Sequence, residues 1–418
     1  MDFVIGSLAA LIALAGPCSA ALAPASTPTR AVPARALGAI AETLRISEEA
    51  SELRASPALV GRLRDTPHGY FRFVDRRFSE TVCRMFGDVR PGLPDVNLHG
   101  DAHIEQYAVT SLGRGLTDFD ESARGPYVID LVRFGVSLEL AARQRGWTGE
   151  GRRAFEAFLR GYREALTRPN VDRPPRRVVS RARATFAFDH DLALRHADSL
   201  IDSDAVPAAE LQADFHDYIA QKGQEEGMPA SFFRIKKAGR LKIGVGSVLD
   251  EKYLLRVEGW TKDDTDDQIL EAKLVRPLSD VECVHTDVGA ERVPLGMALI
   301  AYAPFSFSGL LTRGGRSFWV RGWTDDYVEL SIDLSFPLPE DLRQVAYDVG
   351  IQLGRAHPKR AAGTRETLEL RGLLRQSTRE NEGRIRRAIG ELAEATVAAW
   401  TAFRGSTCPP SAVGWGTP

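Results

Sequence analysis

The chain has 418 residues, 44% of them hydrophobic and 26% charged, with a formal net charge of −2. This exceeds one typical domain of about 100 to 200 residues and has the apolar share of an ordinary globular protein, so two lobes or one much-enlarged domain is expected. The near-neutral balance gives no electrostatic reason to expect a nucleic-acid partner, and Cys18, Cys83, Cys283 and Cys408 are too scattered to suggest a zinc site or a disulfide framework, which leaves structural thiols as the expectation.

Phe3 to Ala15 is a nearly uninterrupted apolar run of signal-peptide length, followed by the small residues Ser19-Ala20-Ala21. It is too short for a comfortable membrane span, so no stable span is expected. Only Met1 and Asp2 precede it, with no basic residue. The reading stays open between a cleaved signal on an exported or periplasmic protein and an uncleaved apolar segment of a cytoplasmic one. After this segment, 1–22, the Ala-, Pro- and Ser-rich residues 23–36 read as a disordered tether. Residues 37–235 are expected to form a mainly helical lobe, 236–330 a β-rich lobe, and 331–418 helices that pack back on the first.

Leu37 to Leu53 has helical spacing, and Ser56-Pro57 marks a helix restart. Tyr70 to Phe86 places aromatic and aliphatic residues on one helical stripe, a core-facing pattern rather than a stacking surface for bases.

The chemistry concentrates between Val96 and Leu138. An apolar strand ends in His99-Gly100-Asp101, Gln106 stands five residues after Asp101, and a second turn supplies Asp118-Phe119-Asp120. Two strand ends therefore aim carboxylates at one place. Phosphoryl transfer needs that arrangement, one carboxylate to orient a hydroxyl and other oxygens to hold magnesium against phosphates. Asp101 is the expected base, and Asp118 a metal ligand together with Gln106, which occupies the offset of the kinase catalytic-loop asparagine. The longer glutamine side chain displaces its oxygen, and Asp120 or Glu121 is a further candidate ligand. Beyond Gly125-Pro126, Asp130 and Arg133 lie on an otherwise apolar helix and must be paired to be buried.

The stretches HGDAHIEQ, TDFDES and GPYVIDLVRFGVSL resemble the uncharacterised bacterial family called domain of unknown function 2252. More distantly, they resemble the aminoglycoside phosphotransferase branch of the protein-kinase-like fold. The resemblance covers most of the chain from about Ala36. It implies that Asp130 binds backbone donors behind the catalytic loop and that His99 is a packed structural histidine, with Arg133 a further support.

Phe155 to Leu166 is an amphipathic helix, and Arg173, Arg176, Arg177, Arg181 and Arg183 crowd a Pro-rich stretch that reads as a solvated linker. Leu192 to Gly223 is mixed helical. Leu241 to Glu258 has the pattern of a hairpin around a glycine turn, and Gln268 to Val275 follows as a third strand carrying Lys273. That is the order of a kinase small lobe. Gly244, Gly246 and Ser247 would cover the phosphates, with Leu249 where a third glycine is usual, and Lys273 would pair with phosphate oxygens. Glu291 is the expected partner of Lys273, on a helix that Pro294 interrupts early. Phe318 to Trp323 reads as a strand, while Glu340 to His357 and Glu366 to Phe403 read as long helices.

In an ordinary kinase the lysine precedes the catalytic aspartate; here Asp101 and Asp118 come first. The expected fold is therefore α+β, a protein-kinase-like two-lobe fold, circularly permuted, with the helix ending in LGRAHPKR placed to lead into the catalytic loop. The expected function is ATP and Mg2+ dependent phosphotransfer to a hydroxyl of an unknown small-molecule or protein acceptor. One alternative is a pseudokinase that binds nucleotide or a partner with little or no turnover. A minor one is a metal-dependent hydrolase using His99, Asp101 and His103. The first reading requires the Lys273 side chain to enter the cleft that holds Asp101 and Asp118.

Overall fold

The computed structural model describes residues 34–47, 53, 56–202, 208–241, 251–360 and 364–405. The apolar start, most of the tether, Cys18, Cys408 and the turn with Gly244, Gly246 and Ser247 lie outside the described residues. The architecture is mixed α+β with several sheets. Among the described residues no helix is long and apolar enough to cross a membrane.

The chain enters through α1 (Ala34–Thr43), α2 (Pro57–Asp65), α3 (Pro67–Phe73) and α4 (Asp75–Met85). Prolines open α2 and α3, where a missing N–H costs nothing, and the Thr66 hydroxyl caps α3 by accepting from Gly69 N at 3.0 Å. The aromatic stripe is thus split at Val74 into two helices. Its members Tyr70, Phe71, Phe78 and Phe86 are all buried, in keeping with a core role.

Four short strands follow: β1 (Asp95–Leu98), β2 (Tyr107–Thr110), β3 (Arg114–Leu116) and β4 (Ala123–Pro126). β1 pairs antiparallel with β4, and β2 with β3. This nesting sets loop 99–106, between β1 and β2, beside loop 117–122, between β3 and β4. The two acidic motifs are neighbours for that reason.

α5 (Val128–Gln144) is buried nearly all round, as a central helix must be. α6 (Glu150–Thr167) leads to α7 (Arg176–Arg183), which replaces the expected solvated linker. Val178, Val179 and Ala182 are buried there, and the run of arginines has a structural use. Arg177 and Arg181 reach the buried Asp341 carboxylate at 3.0 and 3.1 Å.

Next come α8 (His190–Leu200), α9 (Ala208–Asp214) and α10 (His216–Glu226), then β5 (Ile235–Arg240), β6 (Lys252–Val257) and β7 (Gln268–Leu274). α11 (Arg292–Ile300), β8 (Gly309–Arg313), β9 (Arg316–Gly322) and β10 (Tyr327–Glu329) follow. An antiparallel sheet forms in the order β5-β6-β7-β9-β8, while β10 joins β2. Strand alternation sorts the two faces of the sheet. Tyr253, Leu255, Leu270, Phe318 and Val320 pack under Leu211 of α9, Tyr218 of α10 and Phe215 between the two helices, and Leu254 and Ile269 on the other face meet Leu194 and Ala197 of α8. The segment 190–226, expected to belong with the helical lobe, therefore clothes the sheet instead.

α12 (Pro339–Ala356) and α13 (Thr364–Gly405) return to the helical body. α12 crosses α6 at backbone contact. A Cβ at Gly350 would collide with Phe158 O, and one at Gly161 with Tyr347 O. The end of α12 abuts β1, where Asn97 Nδ2 donates to Ala356 O at 3.0 Å and to Lys359 O at 2.7 Å.

The cysteines correct the sequence reading: Cys83 of α4 is disulfide-bonded to Cys283, 200 residues away, in the connection from β7 to α11. Sequence spacing carries no information about a contact of that range. Such a cross-link stabilises mainly by restricting the unfolded chain, typically by about 2–4 kcal/mol. Cys83→Ser, or reduction of the parent, is expected to lower the melting temperature by several degrees; equal melting with and without reductant would show that the bond contributes nothing.

Candidate functional site

The floor of the site is built from the first turn of α5. The Asp130 carboxylate accepts from His99 N at 2.7 Å and Gly100 N at 2.9 Å, and from the His357 Nε2–H at 3.1 Å. Burial works to raise its pKa, but the His357 ring and the other donors hold it below the ordinary value. His99 is fully buried, and its Nε2–H donates to Thr117 O at 2.9 Å, tying the two loops together. Gly100 has φ +85°, and a Cβ there would strike the Glu121 carbonyl.

Asp101 follows on this fixed backbone. Arg133 donates to its Oδ1 from Nε at 2.8 Å and Nη2 at 2.6 Å, and the Arg133 guanidinium lies 3.8 Å from the centre of the Phe71 ring. One carboxylate oxygen is thereby fixed, leaving Oδ2 for other partners. Burial pushes the Asp101 carboxyl up against the pull of Arg133. Asp75, in the first turn of α4, is pushed to about 6 by burial and by the charge of Asp101.

Loop 117–122 presents its acids by a different device. Phe119 is buried, with its ring 5.3 Å from that of His99. The residues on either side, Asp118 and Asp120, border the cavity. Asp118 has φ +60°, a conformation uncommon outside glycine and characteristic of constrained sites. Lys273 Nζ of β7 donates to Asp118 Oδ1 at 3.2 Å and also ion-pairs with Asp120. Gln106 Nε2 lies 3.4 Å from Asp118 Oδ2. Burial opposes ionisation throughout, yet Lys273 pulls Asp118 far below the ordinary carboxylate range. Burial and the Asp118 charge push Asp120 well above it, and the two carboxylates raise Lys273.

These residues line one cavity of about 450 Å3, within the size range of small-molecule sites. The loops supply Asp101, Gln106, Asp118 and Asp120, and the sheet supplies the opposite wall. The donor set suits magnesium, which is commonly held by one or two carboxylates with phosphates and water completing the shell. Asp118 and Gln106 are close enough to share one such ion after rotation of the Gln106 amide. A zinc-hydrolase cluster has no counterpart: among the described residues no three His, Cys, Asp or Glu side chains converge to hold a metal. His99 is turned onto Thr117 O, and His103 Nε2 is 3.7 Å from Asp101 Oδ2.

Glu291 requires correction. It ends a short 3-10 turn before α11, is exposed, and is not the partner of Lys273, whose ion pairs go to Asp118 and Asp120. α11 packs on β1, β4 and α12, and Pro294 is accommodated in its first turn. Gly244, Gly246 and Ser247 lie outside the described residues.

The sequence reading missed Lys252, Glu271 and Arg321, which line the cavity from the sheet, and Ala193, His196 and Leu200, which line it from α8. Alternation along β6, β7 and β9 was the available signal for the first group, because each stands an even number of positions from, or directly across from, a residue on the Lys273 face. Nothing in the sequence marked α8.

A model of a family described as an uncharacterized protein conserved in bacteria, DUF2252, matches residues 54–185 and 172–406. The chain belongs to this family. The first matched segment contains Asp101, Asp118 and Asp130, and the second contains Lys273, so both sides of the cavity are family regions. A search of curated proteins and of solved structures finds no match to the chain.

Glu105, next to Gln106, accepts from Arg72 Nη1 at 3.2 Å and from Ile332 N at 3.2 Å, and lies 3.3 Å from His68 Nδ1. Burial alone would raise its pKa, but His68 and Arg72 bring it down from 4.5 to about 2. A depressed carboxylate contributes stability that is fully present above its unfolded pKa and lost as pH falls through the folded one, on the order of 3 kcal/mol here. Glu105→Gln is therefore expected to flatten the parent's loss of stability between about pH 4.5 and 2, read by denaturant melts across pH. Parallel curves for the two proteins would contradict the assignment.

Proposed function

We propose that the protein is a phosphotransferase that uses ATP and Mg2+ to phosphorylate a hydroxyl of a small-molecule or protein acceptor, on a circularly permuted, kinase-like two-lobe fold. The observation that carries this reading is the contact of Lys273 with Asp118 across 155 residues of sequence. An ammonium from a five-stranded antiparallel sheet reaches carboxylates from the loop beside Asp101. The lysine sits on the third strand of that sheet in chain order, as in a kinase small lobe. The permuted order is supported by the end of α12, which meets β1 through Asn97 and bonds Asp130 through His357.

When bound, ATP supplies the transferable phosphoryl group, and Mg2+ neutralises charge on the phosphates. The chain's residues do the rest. Arg133 fixes one oxygen of Asp101, so that Oδ2 orients the acceptor hydroxyl and takes its proton as the oxygen attacks. Lys273 would hold phosphate oxygens, and Asp118 with Gln106 would hold the metal, with Asp120 beside them. Asp130 keeps the catalytic loop rigid from behind.

A second reading, the pseudokinase, is favoured by one observation. Gln106 turns its amide nitrogen toward Asp118, and Lys273 already bridges Asp118 and Asp120. The two readings separate experimentally. Nucleotide binding is followed by thermal shift with ATP and Mg2+, and turnover by ATP consumption against a panel of hydroxyl acceptors. Asp101→Asn is expected to keep ATP stabilisation and lose turnover by about a hundredfold or more, while Lys273→Met weakens the stabilisation itself. ATP binding with no turnover above that of Asp101→Asn would establish the pseudokinase, and no binding at all would remove both.

A further inference from the structure

His103 stands two residues beyond Asp101 and lines the same cavity. It is fully buried, yet among the described residues neither of its ring nitrogens has a hydrogen-bond partner and no metal cluster includes it. The ring packs edge-on to that of His68, with centres 5.5 Å apart. Burial and the charge of Arg72 hold its pKa well below the ordinary value, so the ring is neutral and carries one N–H. Its Nε2 is 3.7 Å from Asp101 Oδ2, too far for a direct bond. Arg133 takes Asp101 Oδ1 twice, so Oδ2 and Nε2 are left on either side of a short gap.

A buried polar group without a partner costs free energy, and native proteins seldom keep one unless a water or a ligand completes it. An apolar side chain would pack against His68 without that cost. One oxygen about 2.8 Å from both atoms bridges the gap, accepting from the Nε2–H and donating to Oδ2. From this geometry, and resting on the phosphotransfer reading above, we propose that His103 is a second catalytic residue at the acceptor site, its Nε2–H donating to the oxygen of the hydroxyl whose proton Asp101 Oδ2 accepts. A hydroxyl has one proton and two lone pairs. With the proton on Asp101 and one lone pair on His103, only the other lone pair is free to attack, and its direction is fixed. As that oxygen bonds to phosphorus and the bond to the departing diphosphate breaks, Asp101 Oδ2 receives the hydroxyl proton and His103 keeps its own. An amine has a single lone pair, which cannot both accept from His103 and attack, so the pair selects an alcohol over an amine of the same shape.

The test uses the full-length protein and its His103→Leu and His103→Gln variants. One readout needs no nucleotide: a crystal structure of the ligand-free parent is expected to hold an ordered water within about 3.2 Å of both Asp101 Oδ2 and His103 Nε2. His103→Leu is expected to lose that water and to melt no lower than the parent. The other readout is ATP consumption with the best alcohol of the acceptor panel, beside thermal shift with ATP and Mg2+. His103→Leu is expected to keep the ATP shift and to lose about tenfold or more in kcat/KM for the alcohol, while His103→Gln, which can return an N–H near the position of Nε2, recovers most of it. A gap without water, or parental turnover in His103→Leu, overturns the proposal. So does a His103→Leu protein that melts lower and loses the ATP shift, since the ring would then be structural. ATP binding without turnover in the parent removes the acceptor role together with catalysis, and no nucleotide binding overturns the function itself, a distinct outcome.

Discussion

One buried carboxylate holds the two acidic loops of this molecule in place. Asp130 lies in the first turn of the central helix, where the partial positive charge of the helix N-terminus favours an anion. It spends its lone pairs on two successive backbone N–H groups, those of His99 and Gly100, and on the ring of His357. Those donors come from parts of the chain more than two hundred residues apart. Were Asp130 absent, two buried amides would be orphaned, and the loop that carries Asp101 would lose the carboxylate that holds its backbone from below. The positions of Asp101, of Arg133 one turn further along the same helix, and of the end of α12 all follow from this one side chain.

The second constraint is electrical. Loop 117–122 brings Asp118 and Asp120 to the cavity because Phe119 between them is committed to the core against His99. Two carboxylates so close cannot both ionise without a counter-charge, and Lys273 supplies it from the sheet. The sheet is thereby coupled to the helical body through charge, while its own apolar face is satisfied by α9 and α10. On the proposed function, a divalent ion with phosphates would take over the role of the ammonium between the acids, freeing Lys273 for phosphate oxygens.

Much of this was legible in the sequence, because it rests on local pattern. The strand before His99-Gly100-Asp101, strand β6 within the expected hairpin stretch 241–258, the third strand carrying Lys273, and the long helices from Pro339 and Thr364 all follow from periodicity and punctuation. What the sequence hid is what depends on distant meetings. Glu291 was a reasonable partner for Lys273 on the order of elements alone, but α11 is drawn onto β1 and β4, and acids from the loop fill the place. The arginine run from Arg173 to Arg183 has linker composition until Asp341 arrives from α12 to neutralise two of its members. The α8 wall of the cavity could not be foreseen, since a helix covering a sheet face looks in sequence like any other amphipathic helix.

The bond between Cys83 and Cys283 bears on where the proposed chemistry can run. Disulfides persist in oxidising compartments, whereas nucleotide-dependent phosphotransfer is tied to a supply of ATP. Exchange with cellular thiols requires a thiolate to approach a sulfur along the bond axis, so access matters as much as potential. Both cysteines are buried, between α4 and the connection that leaves β7. Reduction of the folded protein must then wait for local opening of that connection, which Arg76 also pins through Pro277 O at 2.8 Å. The cross-link is therefore slow to reduce while the protein is folded. It ties the segment immediately after Lys273 to α4, whose first turn carries Asp75 at the cavity. The covalent bond and the Lys273 ion pairs therefore fasten the sheet to the helical body at two neighbouring points.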